Sequence, residues 1–421
     1  MKDVTVAMVA LGGYGNVYLA RLFGNGEHGG FRLVAGIDPD PKGCRYLDAF
    51  KELEIPIYPD LDHFYAESAA SAGADLVVIA APISLHLPFT RTALAHGSNV
   101  LCEKPVTATI QDALQMAAAE AAAGGFVGIG YQWSFSDTIQ ALKADVMAGV
   151  LGKPLRFRTK VLWPRPYSYY HRNNWAAKLK TDDGCWVLDS PVNNATAHYL
   201  HNCFYVLGET RETSARPVDV QAELYRANDI ENYDTAAVRC HTEGGVEILF
   251  YTAHPVNENI GPVLTYEFEN AVVGCEARGA PMVARFKDGR VTDYGSPSAN
   301  EGKKLWDAIE ASRTRVGTSA RRPGAPLACT ISAAMSHTLA VNGAQESVES
   351  IVDFPEDLVR RHDQNGDELL YVEGLVETLG RCYDQGVMPS ELGDVPWAKI
   401  GRVVDLRDYR HYPSSEAPLH S

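Results

Sequence analysis

Short apolar runs alternate with helical stretches over the first 131 residues, and this rhythm constrains the fold most strongly. Apolar runs of about four to eight residues bounded by turn residues are typical of strands buried in a parallel sheet. Strands that alternate with helices predict right-handed β-α-β crossovers. The predicted strands are Val4–Ala10, Arg32–Ile37, Ile55–Tyr58, Asp75–Ala80, Asn99–Cys102 and Phe126–Tyr131. We therefore predict an α/β domain with a doubly wound parallel sheet over residues 1–130.

From Leu155 onward, successive strand-like segments follow one another with polar turns between them. Meanders of this kind predict a mainly antiparallel sheet with one packed and one open face. The predicted strands are Val218–Arg226, Thr235–Thr242, Val246–Ala253, Thr265–Glu269, Val272–Gly274 and Val283–Arg290. The predicted helices are Asp137–Ala148, Pro191–Leu207, Asn300–Ser312, Ala328–Ser347 and Glu368–Tyr383. We predict an α+β domain over residues 131–385, followed by a tail over residues 386–421.

The composition narrows the classes of function. The net charge of -15 with no basic tract argues against a nucleic-acid or membrane partner. No apolar run approaches the roughly 18 residues of a transmembrane helix, and no signal sequence precedes the strand that starts at Val4. The eight cysteines form no C-x-x-C pair, so we expect no metal site. Together these features predict a cytoplasmic protein with reduced cysteines.

A glycine-rich turn follows the first predicted strand. It reads Ala10-Leu11-Gly12-Gly13-Tyr14-Gly15, a G-x-G-x-x-G pattern with alanine in the first position. Gly12 would let backbone approach a pyrophosphate, and Gly15 would let the next helix pack close to the sheet. Asp38 ends the second strand 23 residues after Gly15, where a carboxylate can accept both ribose hydroxyls. The two features predict a dinucleotide site; a purely structural turn is the alternative.

Asp38 favours NAD over NADP, because a carboxylate repels a 2′-phosphate. Lys42 and Arg45 lie nearby in the sequence and would relieve that repulsion. NAD is therefore the expected cofactor, and NADP remains the alternative.

Glu103-Lys104-Pro105 closes the fifth predicted strand, and with the glycine turn it resembles the Gfo/Idh/MocA family of oxidoreductases. Further matching segments follow in the same order over roughly residues 4–350. They are Ala81-Pro82 with His86, Gly130-Tyr131-Gln132, Ala148–Pro154, and Asp234-Thr235-Ala236 with Gly244-Gly245. The resemblance implies an N-terminal Rossmann domain and hydride transfer between nicotinamide and a hydroxyl-bearing carbon of a sugar, cyclitol or related polyol.

The resemblance also implies which residues bind the cofactor. They are Gly12, Gly13, Tyr14, Gly15, Asp38, Pro82, His86, Glu103 and Lys104. Lys104 matches the lysine of the family motif and would hold or shuttle the proton of the reacting hydroxyl. A lysine can do this where burial and neighbours lower its pKa. A surface lysine paired with Glu103 is the alternative.

The second family signature, an Asp followed four residues later by a His, is altered in this chain. In one register His198 takes the His position and Asn194 replaces the Asp. In the other, Asp189 is the Asp and Asn193 replaces the His. We favour the first register because it keeps an imidazole and places both side chains on one helical face. The candidate catalytic residues are therefore Lys104, His198, Asn194 and Asp189. A structural histidine in the core or at an interface is the alternative for His198.

The segment from Trp163 to Trp175 is dense in aromatic and basic residues. Aromatic faces flanked by hydrogen-bond donors suit a polyhydroxylated or carboxylated ligand. The candidate substrate-binding residues are Trp163, Arg172, Trp175 and Asn193. A loop that packs at a subunit interface is the alternative interpretation.

An NAD(P)-dependent dehydrogenase or reductase is the favoured function. Because the altered signature lacks its carboxylate, two alternatives remain: a redox-neutral glycosidase-like enzyme with tightly held NAD, and a non-catalytic NAD-binding sensor. The open face of an antiparallel sheet must be covered, so we also expect a homo-oligomer, either a dimer or a tetramer.

Overall fold

The computed structural model describes residues 3–24, 29–68, 73–313, 327–363 and 366–416, which fall into two compact units. The first unit comprises Met1–Thr107, Asp112–Phe135 and Asn300–Ala334; the second comprises Ala108–Gln111, Ser136–Ala299 and Met335–Ser421. The prediction placed residues 300–334 in the second domain, whereas the structure groups them with the first unit. It also separated residues 386–421 as a tail, whereas the structure groups them with the second unit.

The first unit is built on a parallel sheet of six strands. They are β1 (Val4–Val9), β2 (Phe31–Ile37), β3 (Ile57–Tyr58), β4 (Leu76–Ile79), β5 (Asn99–Cys102) and β6 (Val127–Ile129). Their order in the sheet is β3-β2-β1-β4-β5-β6, and every adjacent pair is parallel. The strands β1, β4 and β5 are almost fully buried, as expected for a sheet covered on both faces. The predicted doubly wound sheet is confirmed.

Helices separate the strands of the first unit and flank the sheet of the second. In chain order they are α1 (Gly15–Gly24), α2 (Leu47–Glu52), α3 (Leu61–Ser68), α4 (His86–Ala95), α5 (Ile110–Ala123), α6 (Asp137–Met147), α7 (Tyr167–Tyr170), α8 (Ala197–Val206), α9 (Lys303–Arg313), α10 (Ile331–Ser347) and α11 (Leu375–Gln385). The sequence predicts a helix over Asp60–Ala72, and its last four residues, 69–72, lie outside the described residues.

The second unit contains a sheet of ten strands. They are β7 (Pro154–Leu162), β8 (Pro217–Arg226), β9 (Thr235–Thr242), β10 (Glu247–Ala253), β11 (Ile260–Phe268), β12 (Ala271–Cys275), β13 (Val283–Phe286), β14 (Val291–Asp293), β15 (Val352–Asp353) and β18 (Val404–Asp405). Two further strands, β16 (Val359–Asp363) and β17 (Glu368–Val372), form a separate hairpin. The order is β14-β13-β12-β11-β7-β10-β9-β8-β15, and β18 pairs with β8. Only the pairs β7–β10 and β8–β15 are parallel among these described strands, so the predicted mainly antiparallel sheet is confirmed.

The predicted helix Glu368–Tyr383 is wrong over its first part. Residues Glu368–Val372 form β17, which pairs antiparallel with β16. Gly374 then adopts a φ of +76°, and α11 begins directly after it. Apolar residues near the start of this segment pack as a strand, and the period of a helix appears only after the glycine.

The chain itself covers most of both faces of the second sheet. On one face, the Cys203 thiol of α8 lies 3.5 Å from the Thr159 hydroxyl of β7. On the other face, α11 and the segment up to residue 397 form a buried cluster with Leu162, Tyr251 and their neighbours. Exposed apolar side chains on the strands of this sheet include Val272 of β12, Val291 of β14 and Leu155 of β7. The expected open face is thus reduced to local exposed patches of this kind.

A buried ion pair fixes α9 to the parallel sheet of the first unit. Lys304 of α9 is 1% exposed, and its Nζ donates to Glu103 Oε1 at the end of β5. The Tyr18 hydroxyl of α1 donates to the same oxygen at 2.6 Å, and Lys304 Nζ also donates to the Gly130 carbonyl at 3.2 Å. Burial disfavours the charged form of each group, but the attraction between the two opposite charges is larger than this effect. The pKa of Glu103 is consequently lowered and that of Lys304 raised, so both are charged at neutral pH.

The covering segment makes a testable contribution to stability. Leu379 of α11 is 1% exposed within the buried cluster. We expect Leu379→Ala to lower the free energy of unfolding by about 2–5 kcal/mol, because it leaves a cavity in this core. Urea denaturation measures the loss. The control Glu377→Ala, on the exposed side of the same helix, should change stability by less than about 0.5 kcal/mol. Equal effects of the two substitutions would contradict the proposed packing.

The ion pair gives a second prediction. Lys304→Met leaves Glu103 buried without its cation, and we expect a loss of about 3–5 kcal/mol at pH 7. A carboxyl group with a lowered folded pKa stabilises the fold above its unfolded pKa, and this contribution disappears as pH falls through the folded pKa. The difference between variant and parent should therefore shrink at acid pH. Lys303→Met, which removes a partly exposed pair with Asp307, should cost at most about 1 kcal/mol. Urea titrations at several pH values measure both effects, and a pH-independent difference would refute the assignment.

Candidate functional site

The glycine turn joins β1 to α1 in a conformation that admits few side chains. Ala10 and Gly13 have φ values of +64° and +50°. A Cβ on Gly15 would lie 2.0 Å from the Ala10 carbonyl oxygen, so packing requires glycine there. A Cβ on Gly12 would make only ordinary contacts, the nearest at 3.6 Å from Gly43. Folding alone does not demand glycine at Gly12, and the space it leaves open fits a ligand that approaches the backbone.

Asp38, at the end of β2, holds the glycine turn in place. Its Oδ2 accepts a hydrogen bond from the Leu11 amide at 2.9 Å, and its Oδ1 accepts one from the Asp40 amide at 2.9 Å. The residue is partly exposed. An ionised carboxylate has about four lone-pair sites, so Asp38 can brace the turn and still accept hydroxyl donors from a ribose.

A cleft of about 580 Å³ lies beside the turn. It is lined by Gly13, Asn16, Val17, Ala20, Arg21, Gly24, Arg45 and Tyr46. The Asn16 side chain ties α1 to the loop after β2, because it donates to the Gly43 carbonyl at 3.0 Å and accepts from the Arg45 amide at 2.7 Å. Lys42 pairs with Asp40 at 3.2 Å. Lys42 and Arg45 are the two cations considered for a 2′-phosphate, and of these Arg45 lines the cleft.

His86 braces the loops that follow β4 and β5. It is 1% exposed, and its Nδ1 and Nε2 lie 2.8 Å from the Pro105 carbonyl and 3.0 Å from the Ala81 carbonyl. Burial lowers its pKa, so the ring is neutral at pH 7 and donates to one carbonyl at a time. Pro82, which is partly exposed, opens the short turn between these contacts. The geometry makes His86 a positioning residue for the two loops.

Glu103 and Lys104 have different environments although they are adjacent. The Glu103 carboxylate is buried and engaged by Lys304 and Tyr18, and it accepts from the Lys104 amide at 3.2 Å. The Lys104 side chain lies at the partly exposed end of β5. Tyr14, in the glycine turn, donates to Gln132 Oε1 at 3.2 Å. Glu103 thus serves as an internal anchor, and Lys104 is the residue of the motif that retains solvent exposure.

In the second unit, Asp189 is the centre of a hydrogen-bond network. It is 3% exposed. Its Oδ2 accepts from the Ala177 amide at 2.7 Å and from Arg172 Nη2 at 3.1 Å, and its Oδ1 accepts from Asn194 Nδ2 at 2.7 Å. The Asp189 carbonyl accepts from Asn232 at 3.0 Å. The structure thereby brings together Asp189, Arg172 and Asn194, which the sequence analysis had placed in separate candidate groups.

Asn193 is buried and holds an unusual backbone turn. Its Nδ2 donates to the carbonyls of Val187 and Leu188 at 3.3 and 3.1 Å, and Leu188 has a φ of +48°. Ser190 caps the following turn by accepting from the Asn193 amide at 3.2 Å. These contacts give Asn193 a structural position, so the interpretation of this residue as a substrate ligand finds no support in the geometry.

Asn194 and His198 do not share one continuous α-helix, contrary to the expectation. Asn194 lies in a π-helical turn over Pro191–Ala195, and His198 lies in α8, with Thr196 between the two elements. Thr196 donates to the Pro191 carbonyl at 2.8 Å and interrupts the regular helix. Both Asn194 and His198 remain partly exposed. Of the two registers, the first therefore places its residues where a ligand can reach them.

The aromatic and basic segment forms a compact cluster around Tyr169. The guanidinium groups of Arg172 and Arg165 lie 4.0 and 5.0 Å from the centre of its ring, and Arg172 also lies 5.3 Å from Trp175. Trp163 lies 5.6 Å from the Arg165 guanidinium. Such cation–π contacts hold guanidinium groups over aromatic faces. The two predicted binding residues Arg172 and Trp175 are thus in contact.

Several residues at these sites had no recognisable sequence signal. Lys304 and Tyr18 contact Glu103 from distant helices, and Asn232 contacts the Asp189 carbonyl from a loop. His254 adjoins Tyr169, with ring centres 5.6 Å apart. Hydrophobic periodicity cannot identify such pairings, which only the fold creates.

Among the described residues, no group of three or more metal-ligating side chains is assembled, and no helix has the length and hydropathy needed to cross a bilayer.

Comparisons with known proteins agree with this geometry. Residues 4–131 match the oxidoreductase family with an NAD-binding Rossmann fold, Gfo/Idh/MocA. Inositol 2-dehydrogenase from Burkholderia ambifaria is 28% identical over 232 residues, which cover 52% of this chain and 62% of that protein. The chain thus matches about three fifths of the length of this relative.

Solved structures share the fold over most of the chain. An inositol dehydrogenase homologue from Azotobacter vinelandii in complex with NAD⁺ has a TM-score of 0.63 and 19% identity, covering 82% of this chain and 96% of that one. The WlbA dehydrogenase from Bordetella pertussis in complex with NADH and UDP-GlcNAcA has a TM-score of 0.63 and 19% identity. The match covers 82% of this chain and 98% of that one. At this identity the likeness concerns the fold. The family match concerns residues 4–131, the part with the NAD-binding Rossmann fold of the Gfo/Idh/MocA oxidoreductases.

Proposed function

We propose that this protein is an NAD-dependent dehydrogenase or reductase that acts on a CH–OH group of a sugar, cyclitol or related polyol. The glycine turn braced by Asp38 carries the proposal, because Gly12 leaves space at the backbone that folding alone does not require. The similarity to an inositol 2-dehydrogenase and to structures bound to NAD⁺ or NADH supports it. In such enzymes the cofactor, when bound, supplies or accepts the hydride.

The cofactor-binding residues are proposed to divide into two groups. Gly12, Gly13, Tyr14, Gly15 and Asp38 face the dinucleotide, with backbone amides for the phosphates and the carboxylate for the ribose. Pro82, His86, Glu103 and Lys104 shape the loops after β4 and β5. Within this second group, His86 and Glu103 act by holding the loops, since both are buried.

Lys104 is proposed to hold or shuttle the proton of the reacting hydroxyl. It follows a strand that is buried along its whole length, so its backbone is firmly placed. The neighbouring Glu103 carboxylate is engaged by Lys304 and Tyr18, which leaves Lys104 as the cation at the exposed end of the motif. A positioned lysine of this kind can serve as a general acid or base.

In the second unit, His198 is proposed for proton exchange and Asn194 for hydroxyl positioning. An imidazole can exchange a proton near neutral pH, whereas an amide can only donate and accept hydrogen bonds. Asp189 is proposed to orient Asn194, because their side chains are hydrogen bonded at 2.7 Å. Trp163, Arg172 and Trp175 are proposed to contact the substrate.

We further propose a cytoplasmic location and a homo-oligomer. The exposed apolar residues of β12 and β14, Val272 and Val291, support an interface at that end of the sheet.

The cofactor site can be tested through Asp38. We expect Asp38→Asn to weaken NADH binding about ten- to hundredfold, because a charged acceptor of ribose hydroxyls becomes neutral. It should also narrow the preference for NADH over NADPH, since the repulsion of a 2′-phosphate is removed. Titration followed by NADH fluorescence measures both. Asp40→Asn, an exposed neighbour, is the matched control. An unchanged affinity for NADH in Asp38→Asn would refute the ribose assignment.

The reaction can be tested through Lys104. With NAD⁺ and a panel of polyols that includes myo-inositol, we expect the parent protein to form NADH. Lys104→Met should lower kcat about 10²–10⁴-fold while NADH binding is retained, because a group that moves a proton is lost. Lys287→Met, an exposed lysine of the second unit, should behave as the parent. Absence of net NADH formation across the panel would reject the dehydrogenase, and cleavage of an aryl glycoside without NADH would indicate the redox-neutral alternative.

A further inference from the structure

We propose that the second unit carries a site for an anionic group, built from Arg165, Arg172 and Tyr169, and that the sugar-type substrate bears a carboxylate or a phosphate ester. This inference rests on the proposed function for the identity of the reactant. The anion site itself follows from the geometry and the charges of the cluster around Tyr169.

The charges of the two arginines are balanced differently. Arg172 has a carboxylate partner, because its Nη2 lies 3.1 Å from Asp189 Oδ2. Arg165 has no Asp or Glu oxygen within 4.0 Å in the part of the chain that the structure describes; its Nη1 donates to the Pro164 carbonyl at 3.0 Å, and its side chain also interacts with the Tyr169 hydroxyl. Both guanidinium groups nevertheless lie over the ring of Tyr169. In a protein of net charge -15, this cluster therefore holds a local excess of positive charge.

Two buried polar atoms of the cluster point to a missing polar partner. Arg165 Nε and His254 Nε2 are buried and make no hydrogen bond within the described residues. Native structures rarely leave buried polar atoms unsatisfied, and a bound ion or ligand is one common explanation. His254 Nδ1 lies 3.0 Å from the Trp163 carbonyl and donates to it, which leaves Nε2 as an acceptor. The cluster thus presents unused donor and acceptor capacity side by side, as a sugar acid or sugar phosphate would require.

His254 adds no charge that would change this balance. Burial, reinforced by the neighbouring Arg165, lowers the pKa of His254 to about 3. Burial also raises the pKa of Tyr169, so its hydroxyl stays protonated at neutral pH. The positive charge therefore comes from the arginines over the whole neutral range.

The surroundings of the arginines suit recognition of an oxyanion. The planar guanidinium group offers paired N–H donors that match two oxygens of a carboxylate or phosphate. The rings of Trp163 and Tyr169 restrict the Arg165 side chain, so less conformational entropy is lost when it binds. Hydrogen bonds continue from Arg172 through Asp189 to Asn194. An anion held by the cluster would consequently lie within the same hydrogen-bonded region as the candidate hydroxyl-positioning residue.

The first test is direct binding to the purified protein by calorimetry. The probes are D-glucuronate, D-glucose 6-phosphate and neutral D-glucose. We expect at least one anionic probe to bind at least tenfold more tightly than glucose. In Arg165→Met, the ratio of the affinity for the anionic probe to the affinity for glucose should fall at least tenfold. Arg165→Lys should restore part of that ratio because the charge returns. Arg285→Met, an exposed arginine of β13, is the matched control and should keep the preference of the parent.

The two anionic probes distinguish the source of the charge: preference for glucuronate indicates a carboxylate, and preference for glucose 6-phosphate indicates a phosphate ester. No preference for either anion, or a preference that Arg165→Met leaves intact, would overturn the anion site.

The second test is turnover with NAD⁺ and the same probes, which separates the anion site from the proposed function. Selective anion binding without NADH formation from any polyol or sugar would keep the anion site and reject the dehydrogenase. NADH formation from neutral polyols without anion selectivity would keep the dehydrogenase and reject the anion site.

Discussion

The buried ion pair between Glu103 and Lys304 is the interaction on which the first unit depends. Lys304 arrives from a helix 201 residues farther along the chain than Glu103, and Tyr18 and the Gly130 carbonyl complete the contacts. One side-chain network therefore joins α1, the end of β5, the end of β6 and α9. Because an unpaired buried charge is costly, the loss of either partner would disturb the strand end that carries Lys104. The position of the proposed proton carrier is thus set by residues that do not react.

The second unit uses a similar principle around Asp189. Asp189 is nearly fully buried. Its carboxylate accepts three hydrogen bonds and its backbone carbonyl accepts one from Asn232, and these contacts tie together a loop, a π-helical turn and the aromatic cluster. The segment keeps one aspartate, Asp189, which is buried and accepts a hydrogen bond from Asn194. Asn194 itself is partly exposed. Arg172 neutralises Asp189, so Arg165 remains as the cation without a carboxylate among the described residues.

Hydrophobic periodicity and turn residues are local signals, and they predicted the parallel sheet, the glycine turn and the mainly antiparallel second sheet. They did not predict β7, the hairpin β16–β17 or the short strands β14, β15 and β18. β7 alternates charged and apolar residues and lies in the interior of the sheet beside β10 and β11. Its arginines form ion pairs with Glu247 and Glu267 on neighbouring strands, which a local pattern cannot reveal. For the candidate site, burial could not be predicted from the sequence: His86, Glu103 and Asn193 are buried, whereas Lys104 and His198 are partly exposed.

Local sequence patterns specify the class of each domain and the dinucleotide motif, since both depend on residues close together in the chain. The pairing of charges, the covering of sheet faces and the accessibility of candidate side chains arise only when distant segments pack against one another. The pairing of Lys304 with Glu103 and the covering of the second sheet by α11 involve residues separated by tens to hundreds of positions. Such contacts are selected by the packing of whole elements, and no local pattern encodes them.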